Sequence, residues 1–168
     1  MILVGGGSRS GKTRFALDQA LRRGSRLGYI ATAEIRDEEM RARVQAHRAE
    51  RGPNFETIEE PRQLAALLHH RGESFDAIVI DCLTLWASNL LLDGQHDLRP
   101  AALELARAAA AAKAEVILIT NEVGCGIVPE NELARRFRDQ AGWINQIMAD
   151  QANEVWWMVF GCGLKVKG

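Results

Sequence analysis

A glycine-rich loop near the start of the chain carries the residue types and spacing best suited to chemistry. It matches the pattern G-x-x-x-x-G-K-[ST] without a mismatch. Its residues are Gly6, Gly7, Ser8, Arg9, Ser10, Gly11, Lys12 and Thr13. Glycines let successive backbone N–H groups point at phosphate oxygens, and the N-terminus of a following helix adds partial positive charge. We therefore predict a nucleotide-binding loop in which Lys12 is catalytic, binding the β- and γ-phosphates, and the Thr13 hydroxyl is a ligand of Mg²⁺.

A carboxylate suited to the same magnesium ion follows the apolar run 77–80. These four apolar residues predict a buried strand, so Asp81 would lie at its carboxyl end. Ligands bind at that edge of open α/β sheets, and a phosphate-binding loop needs a second magnesium ligand there. Asp81 also precedes a helix predicted over 83–92, where its alternative role is that of an N-cap. The sequence favours the metal role, and the two roles are compatible.

A histidine lies among arginines in the charged stretch 37–51, which predicts a helix. Met40, Val44 and His47 fall at i, i+4 and i+7 on one stripe of that helix, which by itself favours a histidine at the edge of the core. The guanidinium groups nearby, which grip phosphate by paired hydrogen bonds, belong to Arg43, Arg48 and Arg51. A neutral imidazole beside a polyphosphate can attack phosphorus. His47 is therefore either a nucleophile or part of a solvated basic face.

The composition is that of an ordinary globular protein. The chain has 168 residues, with 21 Lys and Arg against 22 Asp and Glu and a net charge of -1. This balance, without an aromatic and basic stripe, argues against nucleic acid as a partner. No apolar run approaches the ~18–20 residues of a membrane span. The three cysteines form no C-x-x-C pair and no signal peptide is evident, so we expect a reduced, cytoplasmic protein.

Short apolar runs alternate with longer helical patterns along the chain. Strands are predicted over 2–4, 27–32, 55–58, 77–80, 115–120 and 155–160. Helices are predicted over 12–23, 37–51, 61–70, 83–92, 101–112 and 130–150. Because the strands are continuously apolar, the sheet should be mostly parallel and covered by helices on both faces. With the phosphate loop, this pattern predicts an α/β P-loop NTPase (RecA-like) fold of three layers, in a single domain over residues 1–168.

Three clusters of residues together resemble a known enzyme family. They are GGSRSGKT at 6–13 with YIAT at 29–32 and RVQAHR at 43–48, DCLTLWASNLL at 81–91, and TNEVGCGIVPENELARRFRDQAGWINQ at 120–146. The likeness is to the bifunctional adenosylcobinamide kinase / adenosylcobinamide-phosphate guanylyltransferases of cobalamin biosynthesis, and it runs the length of the chain. The resemblance implies phosphorylation of adenosylcobinamide with ATP or GTP, followed by transfer of GMP from GTP to that phosphate.

The resemblance also implies roles for particular residues. His47 would carry the guanylyl group, and it is the sole histidine of its predicted helix because position 46 is Ala. The implied nucleotide contacts are the loop 6–13 with Ala31, Thr32, Ala33, Arg48, Ala49, Glu50, Arg51, Glu59 and Asp81. A corrinoid substrate and a homotrimer are implied as well. By their own chemistry, Thr32 is equally a strand-end hydroxyl and Glu59 an exposed carboxylate. Residues 160–163 depart from the small-residue and proline turn usual in the family.

Two other functions fit parts of the pattern. A plain P-loop kinase for a small molecule would use the same loop and leave His47 structural. A nucleotide-dependent switch would hydrolyse slowly and act through a macromolecular partner. Dependence of turnover on a small-molecule acceptor separates the switch from the enzymes. A covalent guanylyl species formed from GTP separates the bifunctional enzyme from the plain kinase.

Overall fold

The fold is built on a single β-sheet. The computed structural model describes residues 1–35, 38, 41, 42, 45 and 51–168. The strands within these ranges are β1 (Ile2–Gly6), β2 (Leu27–Ala31), β3 (Phe55–Glu59), β4 (Ala77–Asp81), β5 (Glu115–Ile119), β6 (Glu154–Val159) and β7 (Cys162–Lys167). They form a seven-stranded sheet in the order β3-β2-β4-β5-β1-β6-β7. Strands β1 to β6 run parallel, and β7 pairs antiparallel with β6 at one edge.

Helices cover both faces of this sheet. They are α1 (Lys12–Leu21), α2 (Leu64–Arg71), α3 (Leu83–Leu92), α4 (Arg99–Ala111) and α5 (Glu132–Gln151). Side chains alternate across a strand, so Ile2 and Val4 pack with α1 on one face while Leu3 packs with α2 to α5 on the other. This arrangement confirms the three-layer α/β prediction. Among the described helices, none has the length and apolar character that crossing a bilayer requires.

The structure corrects several predicted boundaries. The helix expected from residue 61 begins at Leu64, because the Glu60 carboxylate accepts the backbone N–H groups of Arg62 and Gln63, both at 2.8 Å, in a turn before the helix. The helix expected from 101 already begins at Arg99. The last strand was expected to end near 160, but the chain turns there and returns as β7.

The predicted helix that carries His47 lies largely outside the residues that the structure describes. The helix expected over 37–51 lies mostly beyond the described residues, and with it lie four of the predicted site residues. These are His47, Arg48, Ala49 and Glu50.

The sheet register brings the functional segments to one edge. Ala31 of β2 pairs with Glu59 of β3 on one side and with Asp81 of β4 on the other. Asp81 in turn pairs with Ile119 of β5, which pairs with Val4 of β1 just before the glycine-rich loop. Because all of these strands are parallel, the loop, Ala31, Glu59 and Asp81 lie at the same carboxyl edge, where open α/β sheets bind ligands.

Candidate nucleotide-binding site

The glycine-rich loop joins β1 to α1 in a conformation that requires glycine at two positions. Gly6 has φ 150°, and a Cβ built there would lie 2.6 Å from the backbone oxygen of Met158. Gly11 has φ 93°, a left-handed conformation, and begins α1. A side chain at either position would push the loop away from β6 and β7. The predicted phosphate-binding loop therefore has the strand-loop-helix context that its motif demands.

Lys12 is held inside this loop. Its side chain is only 7% exposed, and its Nζ donates hydrogen bonds to the backbone oxygen of Gly7 and to Ser10 Oγ, the latter at 3.4 Å. Burial lowers the pKa of Lys12 from its ordinary value, and the nearby Cys82 and Asp81 oppose that effect. The ammonium thus lies against the backbone of the loop, and its binding to the phosphates stays a prediction.

Thr13 and Asp81 meet as the metal prediction requires. The Thr13 hydroxyl donates to Asp81 Oδ2 at 3.2 Å, across the gap between α1 and the end of β4. Two neighbouring ligands of an octahedral Mg²⁺, each about 2.1 Å from the ion, lie about 3 Å apart. A hydroxyl and a carboxylate are also the oxygen donors that Mg²⁺ takes, with the rest of its shell left to water and phosphate. These two residues therefore fit a magnesium ion.

Tyr29 is a site residue that the sequence predictions missed. Its side chain is buried in β2, and its hydroxyl donates to the same Asp81 Oδ2 at 2.6 Å. Burial, with the neighbouring Asp81 charge, raises the pKa of Tyr29 far above its ordinary value, so the phenol stays protonated and a donor. A tyrosine in the middle of an apolar strand needs a partner for its hydroxyl. That need, with Asp81 ending another predicted strand, was the signal available in the sequence.

Arg51 packs against the other side of Tyr29. Its guanidinium lies 4.0 Å from the centre of the Tyr29 ring, and its Nη1 donates to Thr57 Oγ1 at 3.1 Å. The Arg51 side chain is 6% exposed. Arg51, predicted as a nucleotide contact, therefore contacts β2 through Tyr29 and β3 through Thr57.

Thr32 uses its hydroxyl within the protein. The Oγ1 donates to the backbone oxygen of Cys82 at 2.8 Å and accepts the Cys82 N–H at 2.7 Å. Its backbone oxygen accepts from Asn89 Nδ2 at 2.9 Å. These bonds join the end of β2 to the start of α3, as expected for the strand-end interpretation of Thr32. Its role as a nucleotide contact stays a prediction.

The remaining predicted contacts lie around this cluster. Ala31, which pairs with Asp81, and Ala33 are half-buried, and Glu59 is exposed at the end of β3. Gly6 is tied to the loop after β5, because its backbone oxygen accepts the Glu122 N–H at 3.2 Å. The structure thus brings together the loop 6–13, Ala31, Arg51 and Asp81. Within the described ranges, no group of three or more His, Cys, Asp or Glu side chains forms a separate metal site.

The parallel sheet, the glycine-rich loop and the Thr13–Asp81 pair define an α/β protein that binds nucleoside triphosphates. Residues 2–166 match a family model, CobU, described as cobinamide kinase / cobinamide phosphate guanyltransferase. The chain belongs to this family.

Three similar proteins match over nearly their whole length. The bifunctional adenosylcobalamin biosynthesis protein CobU of Escherichia coli is 42% identical, and 99% of each chain is covered. The protein of the same name from Salmonella typhimurium is 44% identical with the same coverage. CobP of Pseudomonas aeruginosa is 41% identical, with 99% of this chain and 96% of that protein covered. Among solved structures, the VirB11 ATPase of Brucella suis is 15% identical with a TM-score of 0.48, covering 99% of this chain and 48% of that one.

Proposed function

We propose that this protein carries out two successive reactions of cobalamin biosynthesis. In the first, ATP or GTP phosphorylates the hydroxyl of adenosylcobinamide. In the second, GTP transfers GMP to the new phosphate, giving adenosylcobinamide-GDP and pyrophosphate. The observation that carries the proposal is the Thr13–Asp81 pair, 3.2 Å apart, beside a buried Lys12 in a chain of this family.

The glycine-rich loop serves the phosphoryl transfer. Its backbone N–H groups and Lys12 bind the phosphates of the donor and stabilise the negative charge that spreads over the transferring group. Thr13 and Asp81 would hold Mg²⁺, which would neutralise negative charge on the phosphates of the donor. Tyr29 keeps Asp81 Oδ2 in place through its 2.6 Å hydrogen bond.

The nucleotidyl transfer uses His47 as its nucleophile in this proposal. A ring nitrogen of His47 forms a bond to the α-phosphorus of GTP, and the bond from that phosphorus to the bridging oxygen breaks, releasing pyrophosphate. The corrinoid phosphate then attacks the same phosphorus and frees the histidine. Arg51 supports this assignment, because it follows His47 by four residues and is anchored on Tyr29 beside Asp81.

Several further properties of the proposal rest on the family. The corrinoid is the acceptor, the protein is a homotrimer, and it acts in the cytoplasm. Arg48, Ala49 and Glu50 contribute to nucleotide binding with His47, and Glu59 accepts a hydrogen bond from the ribose or the guanine edge of the GTP that reacts with His47. The exposed position of Glu59 at the carboxyl edge supports that last role.

Intact-protein mass spectrometry after incubation with Mg²⁺ and GTP tests the proposal. We expect a GMP-sized mass gain that is acid-labile and absent from His47→Ala. The matched control is His96→Ala, a histidine on the loop between α3 and α4, which should still gain the mass. No gain in a wild-type protein that binds GTP would contradict the covalent step and leave the plain kinase. Nucleotide turnover that does not depend on the corrinoid would contradict both the bifunctional enzyme and the plain kinase.

A further inference from the structure

The turn between β6 and β7 is bonded directly to the phosphate-binding loop. The Gly161 N–H donates to the backbone oxygen of Ser10 at 3.0 Å. A Cβ built on Gly11 would lie 3.2 Å from the Gly161 Cα, so the two backbones touch at the start of α1. The side chain of Arg14, one residue after Thr13, also reaches this turn, with Nη2 3.7 Å from the position of a Gly161 Cβ. Whatever occupies the loop therefore lies next to this turn.

Phe160 lies at the tip of this turn with a positive φ and an exposed aromatic ring. Val159 pairs with Cys162, which leaves Phe160 and Gly161 as a two-residue connection, with φ 51° and 81°. Such a turn favours Asn or Gly at its first position, because a bulky side chain is strained at positive φ. The Phe160 side chain is nevertheless 98% exposed. Neither the packing of the core nor the geometry of the turn accounts for an aromatic ring at this position.

The order of the strands sets the direction in which a bound nucleotide runs. Asp81, the partner of Thr13, ends β4, which lies two strands from β1 on one side. Strands β6 and β7 lie on the opposite side of β1. A Mg²⁺ ion held by Thr13 and Asp81 would neutralise phosphate charge, so the terminal phosphates of a bound nucleotide would lie toward Asp81. A nucleoside that extends away from Asp81 would then approach the β6–β7 turn and Phe160.

We infer that Phe160 is a stacking platform for the purine base of the nucleotide held by the glycine-rich loop. The inference rests on the proposed function, because it assumes a nucleotide in that loop. An aromatic face stacks on any base, whereas hydrogen bonds to the base edge would distinguish adenine from guanine. A site built on stacking accepts both purines, which suits a phosphoryl donor that is either ATP or GTP.

Equilibrium binding of non-hydrolysable ATP and GTP analogues to Phe160→Asn tests the inference. Asparagine removes the ring and suits positive φ better than phenylalanine, so the turn is retained. We expect both analogues to bind about tenfold more weakly, while inorganic tripolyphosphate, which has no base, binds unchanged. Phe160→Tyr keeps the aromatic face and should bind as the wild type does. Leu164→Ser, on an exposed residue of β7 in the same hairpin, is the matched control and should also bind normally.

The outcomes separate this inference from the function on which it rests. Unchanged analogue affinity in Phe160→Asn would overturn the stacking role and leave the function intact. An equal loss of affinity for tripolyphosphate in Phe160→Asn would overturn the stacking role as well, because the phosphate-binding loop itself would then be disturbed. A lower molecular mass of Phe160→Asn in light scattering would overturn it in favour of a contact between copies. A wild-type protein that binds neither analogue would overturn both the inference and the proposed function.

Discussion

One carboxylate oxygen of Asp81 accepts hydrogen bonds from two side-chain hydroxyls, those of Thr13 and Tyr29. Thr13 approaches Oδ2 from α1 at 3.2 Å, and Tyr29 approaches it from β2 at 2.6 Å. The Thr13 bond would be exchanged for a metal ligand, whereas the Tyr29 hydroxyl would keep its bond, because Asp81 as a carboxylate accepts from it in either case. Tyr29 therefore orients the carboxylate in this structure and would also do so with a metal ion bound, as the outer partners of metal ligands do.

Tyr29→Phe should separate metal binding from nucleotide binding. The variant keeps the ring on which Arg51 packs and loses only the hydroxyl. We expect the Mg²⁺ concentration needed for half-maximal nucleotide binding to rise about tenfold. Nucleotide binding measured in EDTA should stay the same. A magnesium titration that superimposes on the wild-type curve would show that Asp81 needs no help from Tyr29.

At the scale of the elements, α5 begins at a well-defined cap beside the functional edge. The Asn131 side chain accepts the Ala134 N–H at 3.0 Å, and Glu132 lies in the first turn of the helix. Both features are favourable at a helix N-terminus, where backbone N–H groups lack partners and the dipole is positive. The helix is amphipathic, and it buries Ala141, Ile144 and Met148 on one face.

Asn131→Ala should lower the free energy of unfolding by about 1 kcal/mol, the usual value of an N-cap. Urea unfolding followed by circular dichroism measures this difference. Asn131→Ser replaces one capping oxygen with another and should recover most of the loss. If the alanine and serine variants unfold at the same urea concentration, the cap contributes nothing to stability.

The hairpin of β6 and β7 shows why some elements escaped prediction. Leu164 and Val166 alternate with Lys165 and Lys167, which is a strand pattern. All six residues of β7 are nevertheless exposed, so the pattern lacks the continuous apolar run that marked the other strands. The glycine-rich loop and Asp81 were predictable because their signals are local in sequence. Tyr29 was missed because its partner depends on which strands become neighbours in the sheet.

At the scale of the whole molecule, hydrogen bonds and an ion pair of Asp76 join two strands at the amino edge of the sheet, opposite the carboxyl edge that carries the candidate site. Asp76 precedes β4, and its Oδ2 accepts the backbone N–H groups of Ser25 and Arg26, both at 3.0 Å, just before β2. The Arg26 guanidinium donates to Oδ1 at 2.6 Å. These bonds lower the pKa of Asp76 to about 2, and the bond from the Arg26 side chain makes the largest contribution.

The stability of the protein should therefore depend on pH through Asp76. Because the folded pKa lies below the ordinary value of about 3.9, the ionised carboxylate stabilises the folded state above pH ~4, and this contribution is lost as the pH falls toward ~2. Urea unfolding of the wild type and of Asp76→Asn across this range measures the effect. We expect the difference between the two proteins to shrink as the pH falls. A constant difference would mean that the charge of Asp76 is not responsible.

The position of β1 has a consequence for the synthesis of the protein. Among the strands of this sheet β1 comes first in the chain, yet it lies between β5 and β6, and the glycine-rich loop that follows it is bonded to the turn at Gly161. A nascent chain that has emerged as far as β4 holds the lysine and the aspartate of the site but none of the strands that flank β1. Pairing over such long sequence separations is slow to form. The growing chain should therefore acquire affinity for nucleotide only after residues 154–167 have left the ribosome, which keeps incomplete chains from binding GTP.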